Sequence, residues 1–170
     1  SKLNIGIIGA GRIGKVHAET IAFRVPEARA VAITDLNQAA AEQVAARCGI
    51  PVVAASADQI FDDPDIDAVL ICSSTNTHAD LTIQAARAGK HVIVEKPLTG
   101  CFADASTLSR RAMLAEALRH ADEALDACRA HGVTLAYAEN FVYAPGIAKL
   151  RRLLDASGAT VLDLRAEESH

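Results

Sequence analysis

The stretch Ile5-Gly6-Ile7-Ile8-Gly9-Ala10-Gly11-Arg12-Ile13-Gly14 decides how the chain is read. Its apolar first half predicts a buried strand, and the spacing of Ile13, Val16, Thr20 and Ile21 predicts a helix directly after it. Between the two stands G-x-G-x-x-G, and a glycine triplet that closes a strand and opens a helix is a dinucleotide fingerprint. Gly9 permits the tight turn, Gly11 the close approach of a pyrophosphate, and Gly14 the close packing of helix on strand. The helix start, with Arg12 and Ile13 in its first turn, offers free N–H groups and a partial positive charge to the phosphates. The plain alternative is a strand–helix turn that merely happens to be rich in glycine.

Composition narrows the class of protein. At 170 residues the chain is long enough for one ordinary domain with its own core and short for two. Half of it is apolar and it holds five prolines, which describes a globular rather than a disordered chain. A net charge of −4 without a Lys/Arg cluster argues against nucleic acid as a partner. No signal-peptide pattern opens the sequence, and no apolar run reaches membrane-spanning length. Cys48, Cys72, Cys101 and Cys128 are widely spaced and form no metal-ligand pattern, so no metal is expected and reduced thiols in a cytoplasmic protein are.

Further strands are expected at Ala28–Thr34, near Val52-Val53, at Ala68–Cys72, His91–Val94 and Val133–Ala138. Helices are expected over residues 38–48, from Ser56 through Phe61, from His78 to Ala88, over the repeat Leu114, Leu118, Ala121, Leu125, Cys128, and from Pro145 to Gly158. Leu98 to Ser109 lacks periodicity and reads as a loop. The runs apolar on both faces fit a parallel sheet covered by helices, and the whole pattern is that of an α/β, doubly wound Rossmann sheet of six strands. Leu162, Leu164 and Ala166 alternate with Asp163, Arg165 and Glu167, which predicts a strand of a different, half-wet sheet. The expected division is therefore 1–143 as the dinucleotide domain and 144–170 as a linker helix plus the first strand of an incomplete second α/β domain.

Three places carry further chemistry. Asp35 ends the second strand about 20 residues past Gly14, where a carboxylate accepts hydrogen bonds from the adenosine ribose and repels a 2′-phosphate. NAD is thus expected over NADP; the alternative role for Asp35 or Asn37 is a helix N-cap. Ser73-Ser74-Thr75-Asn76-Thr77-His78 forms a polar loop at the carboxyl edge of the sheet, where open α/β sheets bind ligands. Glu95-Lys96-Pro97 ends the fifth strand, where charged residues are unusual as packing groups. The competing reading of that pair is a surface ion pair.

This combination, G-x-G-x-x-G with a downstream Glu95-Lys96-Pro97, resembles the Gfo/Idh/MocA family (glucose–fructose oxidoreductase/inositol dehydrogenase), and the likeness covers essentially the whole chain. Residues 6–19 and Ile71–Asp80 look most like inositol 2-dehydrogenases. The resemblance implies an NAD-dependent oxidoreductase that moves a hydride to or from a secondary hydroxyl of a cyclitol or sugar. It implies that Lys96 hydrogen-bonds the reacting hydroxyl beside the nicotinamide and that Glu95 positions the nicotinamide half. It places Ser73, Thr75, Asn76 and His78 along the dinucleotide; a helix-start His can equally be a packing residue. A homo-oligomer is also expected. A non-catalytic dinucleotide-binding or regulatory module is the alternative, and Lys96 favours descent from an enzyme.

The sequence departs from that family in three respects. Family members carry a second domain with a catalytic Asp/His pair; with that domain missing beyond the first strand, His170 takes no such role and the chain alone is expected to be inactive. The stretch Ser109-Arg110-Arg111-Ala112-Met113-Leu114, together with Tyr137 to Pro145, resembles a different, uncharacterised branch, and the Arg that inositol dehydrogenases carry near Val142 is missing. An apolar edge strand without a partner sheet is expected to dimerise, fold back or stay disordered.

Overall fold

Strands that are apolar on both faces need a helix layer on each side, and that is the arrangement the chain adopts. The structure is a computed structural model that describes residues 2–104, 106–163 and 165. Six strands, β1 (Leu3–Ile8), β2 (Ala28–Thr34), β3 (Val52–Val53), β4 (Ala68–Ile71), β5 (His91–Glu95) and β6 (Leu135–Ala138), form one sheet in the order β3-β2-β1-β4-β5-β6. Every pairing is parallel. The order runs outward from β1 to β3, then returns to the other side of β1 for β4. That reversal opens a crevice beside β1, the position at which doubly wound sheets take their ligands.

Alternation along the strands supplies two cores. Ile5, Ile7, Ile33 and Leu70 face α1 (Arg12–Arg24) and α2 (Gln38–Cys48), meeting Ala18, Ile21, Ala41 and Val44. Ile8, Val69, Ile71, Val92 and Val94 face the other way, with Ile60 and Phe61 of α3 (Ala57–Phe61) and Ala85 of α4 (His78–Arg87). Each of the larger side chains stabilises the fold by about 1.5–3 kcal/mol through removal from water.

Local chemistry sets the helix ends. Asn37, rather than Asp35, caps α2, its side chain accepting from the Ala40 amide. Ser56 accepts from the Gln59 amide while Gln59 reaches back to the amide of Ala55, so the expected cap of α3 is present. The loop from Leu98 gives way to α5 (Arg110–Ala130), one turn earlier than the apolar repeat indicates. Ser109 is its N-cap, accepting from the Ala112 amide; Arg110 and Arg111 are exposed, and the apolar Ala112 and Met113 that follow are only half-buried.

The chain divides into two compact units, Ser1–Ala138 and Glu139–His170. The second contains a short 3-10 turn at Asn140–Tyr143 and α6 (Pro145–Ser157), which begins with Pro at its first position and ends at Gly158. The strand expected over Leu162–Ala166 is not formed at Leu162, Asp163 or Arg165. A strand requires a hydrogen-bonded neighbour, and Leu162 lies exposed. Leu164 and Ala166, along with Glu167 to His170, lie outside the described residues.

Candidate functional site

Register alone assembles the site. Ile8 pairs with Thr34 on one side and with Ile71 on the other, and Ile71 pairs with Val94. The next residue of each strand therefore falls in one row at the carboxyl edge: Asp35, Gly9, Cys72 and Glu95. The glycine turn, Asp35, the loop after β4 and the end of β5 are neighbours for this reason.

At the centre of the row, Gly9 has φ +107, a region L side chains rarely adopt. A Cβ there would stand 2.7 Å from the carbonyl of Cys72 and 2.8 Å from the amide of Ser73. The turn can thus pass this close to the end of β4 only as glycine. Gly14 is equally constrained, since a Cβ on it would overlap the Gly9 carbonyl oxygen; this lets α1 start tight against the turn. Gly11 differs. It is the N-cap of α1 with extended backbone, no side chain caps the helix, and nothing lies within 4 Å of where its Cβ would be. The first amides of α1, Arg12 and Ile13 among them, face an open cradle that even a methyl group would begin to fill.

Asp35 is tied to this turn. One carboxylate oxygen accepts from the Ala10 amide at 2.6 Å and the other from the Asn37 amide at 2.8 Å. A carboxylate has about four lone-pair sites, so both oxygens keep capacity for further donors such as ribose hydroxyls. The helix-capping alternative for Asp35 gives way to this fixed, half-buried acceptor beside the glycine turn. The cradle, the uncapped amides and the poised carboxylate together fit the diphosphate and ribose of a dinucleotide.

On the other side of β1, Ser73 and Thr77 share a hydrogen bond between their hydroxyls at 2.7 Å, and Thr77 also donates to the Ser74 carbonyl. Thr75 and Asn76 sit on the intervening 3-10 turn, and their side chains make no hydrogen bond among the described residues. His78 is only 1% exposed. Its Nδ1 lies 2.8 Å from the Pro97 carbonyl and its Nε2 3.1 Å from the Ser73 carbonyl, so it brackets the β4 and β5 loops together. Both ring nitrogens face backbone carbonyls inside the protein.

Glu95 is buried, and its partners are not those of a surface ion pair. Its carboxylate meets His17 Nε2 at 2.8 Å through one oxygen and accepts the Lys96 amide at 2.9 Å through the other. Lys96 is exposed, the Lys96–Pro97 peptide is cis, and the ammonium has no hydrogen-bond or ion-pair partner among the described residues. Burial pushes the Cys72 thiol up to about 12, with the negative charge of Glu95 adding to the shift. Sequence reasoning missed His17 as a site residue. The available signal was its position three residues past Gly14, beside the buried stripe of α1.

A cleft of about 700 Å³ lies elsewhere, against Phe23, Arg24, Pro26 and Arg29 at the amino end of β2. It holds none of the polar groups just described. No group of three or more His, Cys, Asp or Glu side chains suited to a metal occurs among the described residues, and no described helix is long and apolar enough to cross a membrane.

A parallel sheet that reverses its order beside a glycine turn, an uncapped helix start and a neighbouring carboxylate defines a Rossmann dinucleotide-binding domain. The chain belongs to the Gfo/Idh/MocA oxidoreductase family, whose model, described as an oxidoreductase family with an NAD-binding Rossmann fold, matches residues 3–139. The chain is 48% identical over 96 residues to an inositol 2-dehydrogenase of Rhizobium meliloti, a match covering 56% of this chain and 28% of that protein. It is 35% identical over 150 residues to the uncharacterized oxidoreductase YrbE of Bacillus subtilis, covering 88% of this chain and 39% of that one. Among solved structures, scyllo-inositol dehydrogenase from Lactobacillus casei with bound NAD(H) and scyllo-inositol superposes with a TM-score of 0.77 at 25% identity, covering 93% of this chain and 42% of that chain. The chain thus spans well under half the length of these relatives. The family and fold read from the sequence both hold.

Proposed function

We propose that this chain is the NAD-holding part of a dehydrogenase acting on a secondary hydroxyl of a cyclitol or sugar. The observation that carries the reading is the row Asp35, Gly9, Cys72, Glu95 at the edge of the sheet, with an open helix start on one side and the unpaired Lys96 ammonium on the other. Similarity to inositol dehydrogenases supports the substrate class.

In this reading Gly9, Gly11 and Gly14 shape the turn, and the amides of Arg12 and Ile13 take the diphosphate. Asp35 accepts from the adenosine ribose and disfavours a 2′-phosphate. Ser73, Thr75 and Asn76 line the path of the dinucleotide, and His78 holds the two loops at their spacing. Bound NAD supplies the hydride acceptor. Glu95 fixes the backbone from which Lys96 projects, and Lys96 donates to the reacting oxygen and stabilises the negative charge that develops there. The remaining substrate contacts and the proton acceptor belong to a further domain of the kind the longer relatives have room for.

The domain division at 143/144 is retained as a proposal. So are a cytoplasmic location, which four free thiols favour, and self-association, which the exposed Ile147, Leu150 and Leu153 on α6 favour. Calorimetric titration with NAD and NADP tests the central reading. Binding of NAD at least about tenfold tighter than NADP is expected for a Rossmann carboxylate at Asp35. No heat with NAD at millimolar concentration contradicts it.

A further inference from the structure

The two halves of the proposed cofactor site, helix α1 and the end of β5, are joined by a side-chain hydrogen bond across 78 residues of sequence, from His17 Nε2 to Glu95 Oε1 at 2.8 Å. We propose that His17 is a positioning residue: it holds the buried Glu95 carboxylate in the orientation that fixes the Lys96 backbone, and so couples the diphosphate-binding helix to the reacting edge of the sheet.

The donor and acceptor inventory makes the connection directional. Glu95 is buried and, as a carboxylate, only accepts, so His17 must donate from Nε2. The second oxygen of Glu95 accepts from the Lys96 amide at 2.9 Å, closing a local ring at the root of the Lys96 side chain. Among the described residues these two are the hydrogen-bond donors to that carboxylate. Without His17, one oxygen of a buried anion loses its partner, and such an oxygen either draws in water or turns toward solvent. Either change moves the group that anchors the Lys96 amide. His17 itself is held because α1 starts against Gly9, where Gly14 leaves no room for a side chain. Its own side chain is 28% exposed, so it is within reach of solvent, whereas that of Glu95 is 9% exposed. The half-exposed partner can therefore be exchanged without opening the core.

Three variants separate positioning from packing. His17→Gln keeps an N–H donor at nearly the same reach, His17→Asn keeps polarity but falls short of Glu95, and His17→Leu keeps bulk alone. Amide hydrogen exchange in the protein without ligand is read at Lys96 and compared with Val94, which lies in the β5 ladder. Loss of a hydrogen bond to a charged group is worth about tenfold, so the Leu and Asn variants should speed exchange at Lys96 by about that factor, leave Val94 unchanged, and be rescued by Gln. Unchanged exchange at Lys96, or equal acceleration in all three variants, overturns the proposal.

A second arm rests on the NAD reading above and compares NAD with ADP-ribose, which lacks the nicotinamide. The Leu and Asn variants should weaken NAD by about fivefold to tenfold and leave ADP-ribose within about twofold. A parallel loss for both ligands makes His17 a structural residue only and also overturns the proposal. If the unsubstituted chain binds neither ligand, the NAD reading fails, and the exchange arm alone decides for or against His17.

Discussion

Gly9 and Gly11 are two positions apart in the same turn, and the structure predicts that alanine at each will do opposite things. At Gly9 the backbone has φ +107, and a Cβ would stand 2.7 Å from backbone atoms of Cys72. The dihedral strain is worth about 1–3 kcal/mol. Overpacking against a backbone that cannot rotate away adds about 1–3 kcal/mol. Gly9→Ala should therefore destabilise by about 2–6 kcal/mol, lowering Tm by about 6–18 °C in a domain of this size. At Gly11 the φ of −67 and ψ of −168 suit any residue, and no atom lies within 4 Å. Reduced freedom of the unfolded chain favours alanine by about 0.4–1 kcal/mol, and the poorer N-cap offsets about the same. Gly11→Ala should leave Tm within about 3 °C. Its methyl group, however, enters the cradle in front of the α1 amides and denies the diphosphate one or two charge-assisted hydrogen bonds, so NAD affinity should fall about tenfold to a hundredfold. Thermal scans with calorimetric titration read both numbers. Wild-type NAD affinity in Gly11→Ala, or a wild-type Tm in Gly9→Ala, would refute the division between a glycine required by the fold and one required by the ligand.

Asp35→Ala removes the acceptor for the Ala10 and Asn37 amides as well as the proposed ribose contact. NAD affinity should fall by about tenfold or more while NADP falls less, and an unchanged NAD/NADP ratio by competitive titration would count against the ribose role. Lys96→Ala in a full-length homologue carrying this domain should lower kcat by about a hundredfold or more with NAD affinity nearly kept, since the ammonium acts on the developing charge. A change confined to KM would point to binding alone. For Cys72, burial pushes the folded thiol up to about 12 from an ordinary 9.0. Above pH 9 the unfolded chain loses this proton first, so stability falls with rising pH by about 1.4 kcal/mol per unit until the folded thiol also ionises. Urea denaturation at pH 9 to 11 should show wild type losing that much more than Cys72→Val, and parallel curves would contradict it.

Much of the fold could be read from the sequence because a parallel sheet covered on both faces writes itself as short apolar runs. Ala68–Cys72 and His91–Val94 are such runs, and the strands form at Ala68–Ile71 and His91–Glu95. The loop after Leu98 was legible for the opposite reason, an absence of any period. The first turn of α5 was less so, because it opens on the exposed Arg110 and Arg111 and its apolar Ala112 and Met113 are only half-buried. The terminal alternation at Leu162 described a strand whose pairing partner no pattern within the strand can supply. For the site, glycine spacing and the position of Asp35 are local features and were readable. The partners of Glu95 and His78 are long-range, set by register between strands far apart in sequence, and a polar residue at a helix start looks the same whether it meets a ligand or bridges two loops. Thus the sequence leaves both roles of His78 open, ligand contact and packing residue, and gives no sign that His17 meets Glu95.

The most direct test of a dinucleotide site in the crevice beside β1 is an amide-resolved NMR titration of this chain with NAD. The predicted result is saturable shifts that are largest at Gly11, Arg12 and Ile13, with Asp35 and Ser73 following at the same apparent Kd. Shifts confined to the cleft around Phe23 and Arg29, or none at millimolar NAD, would contradict it.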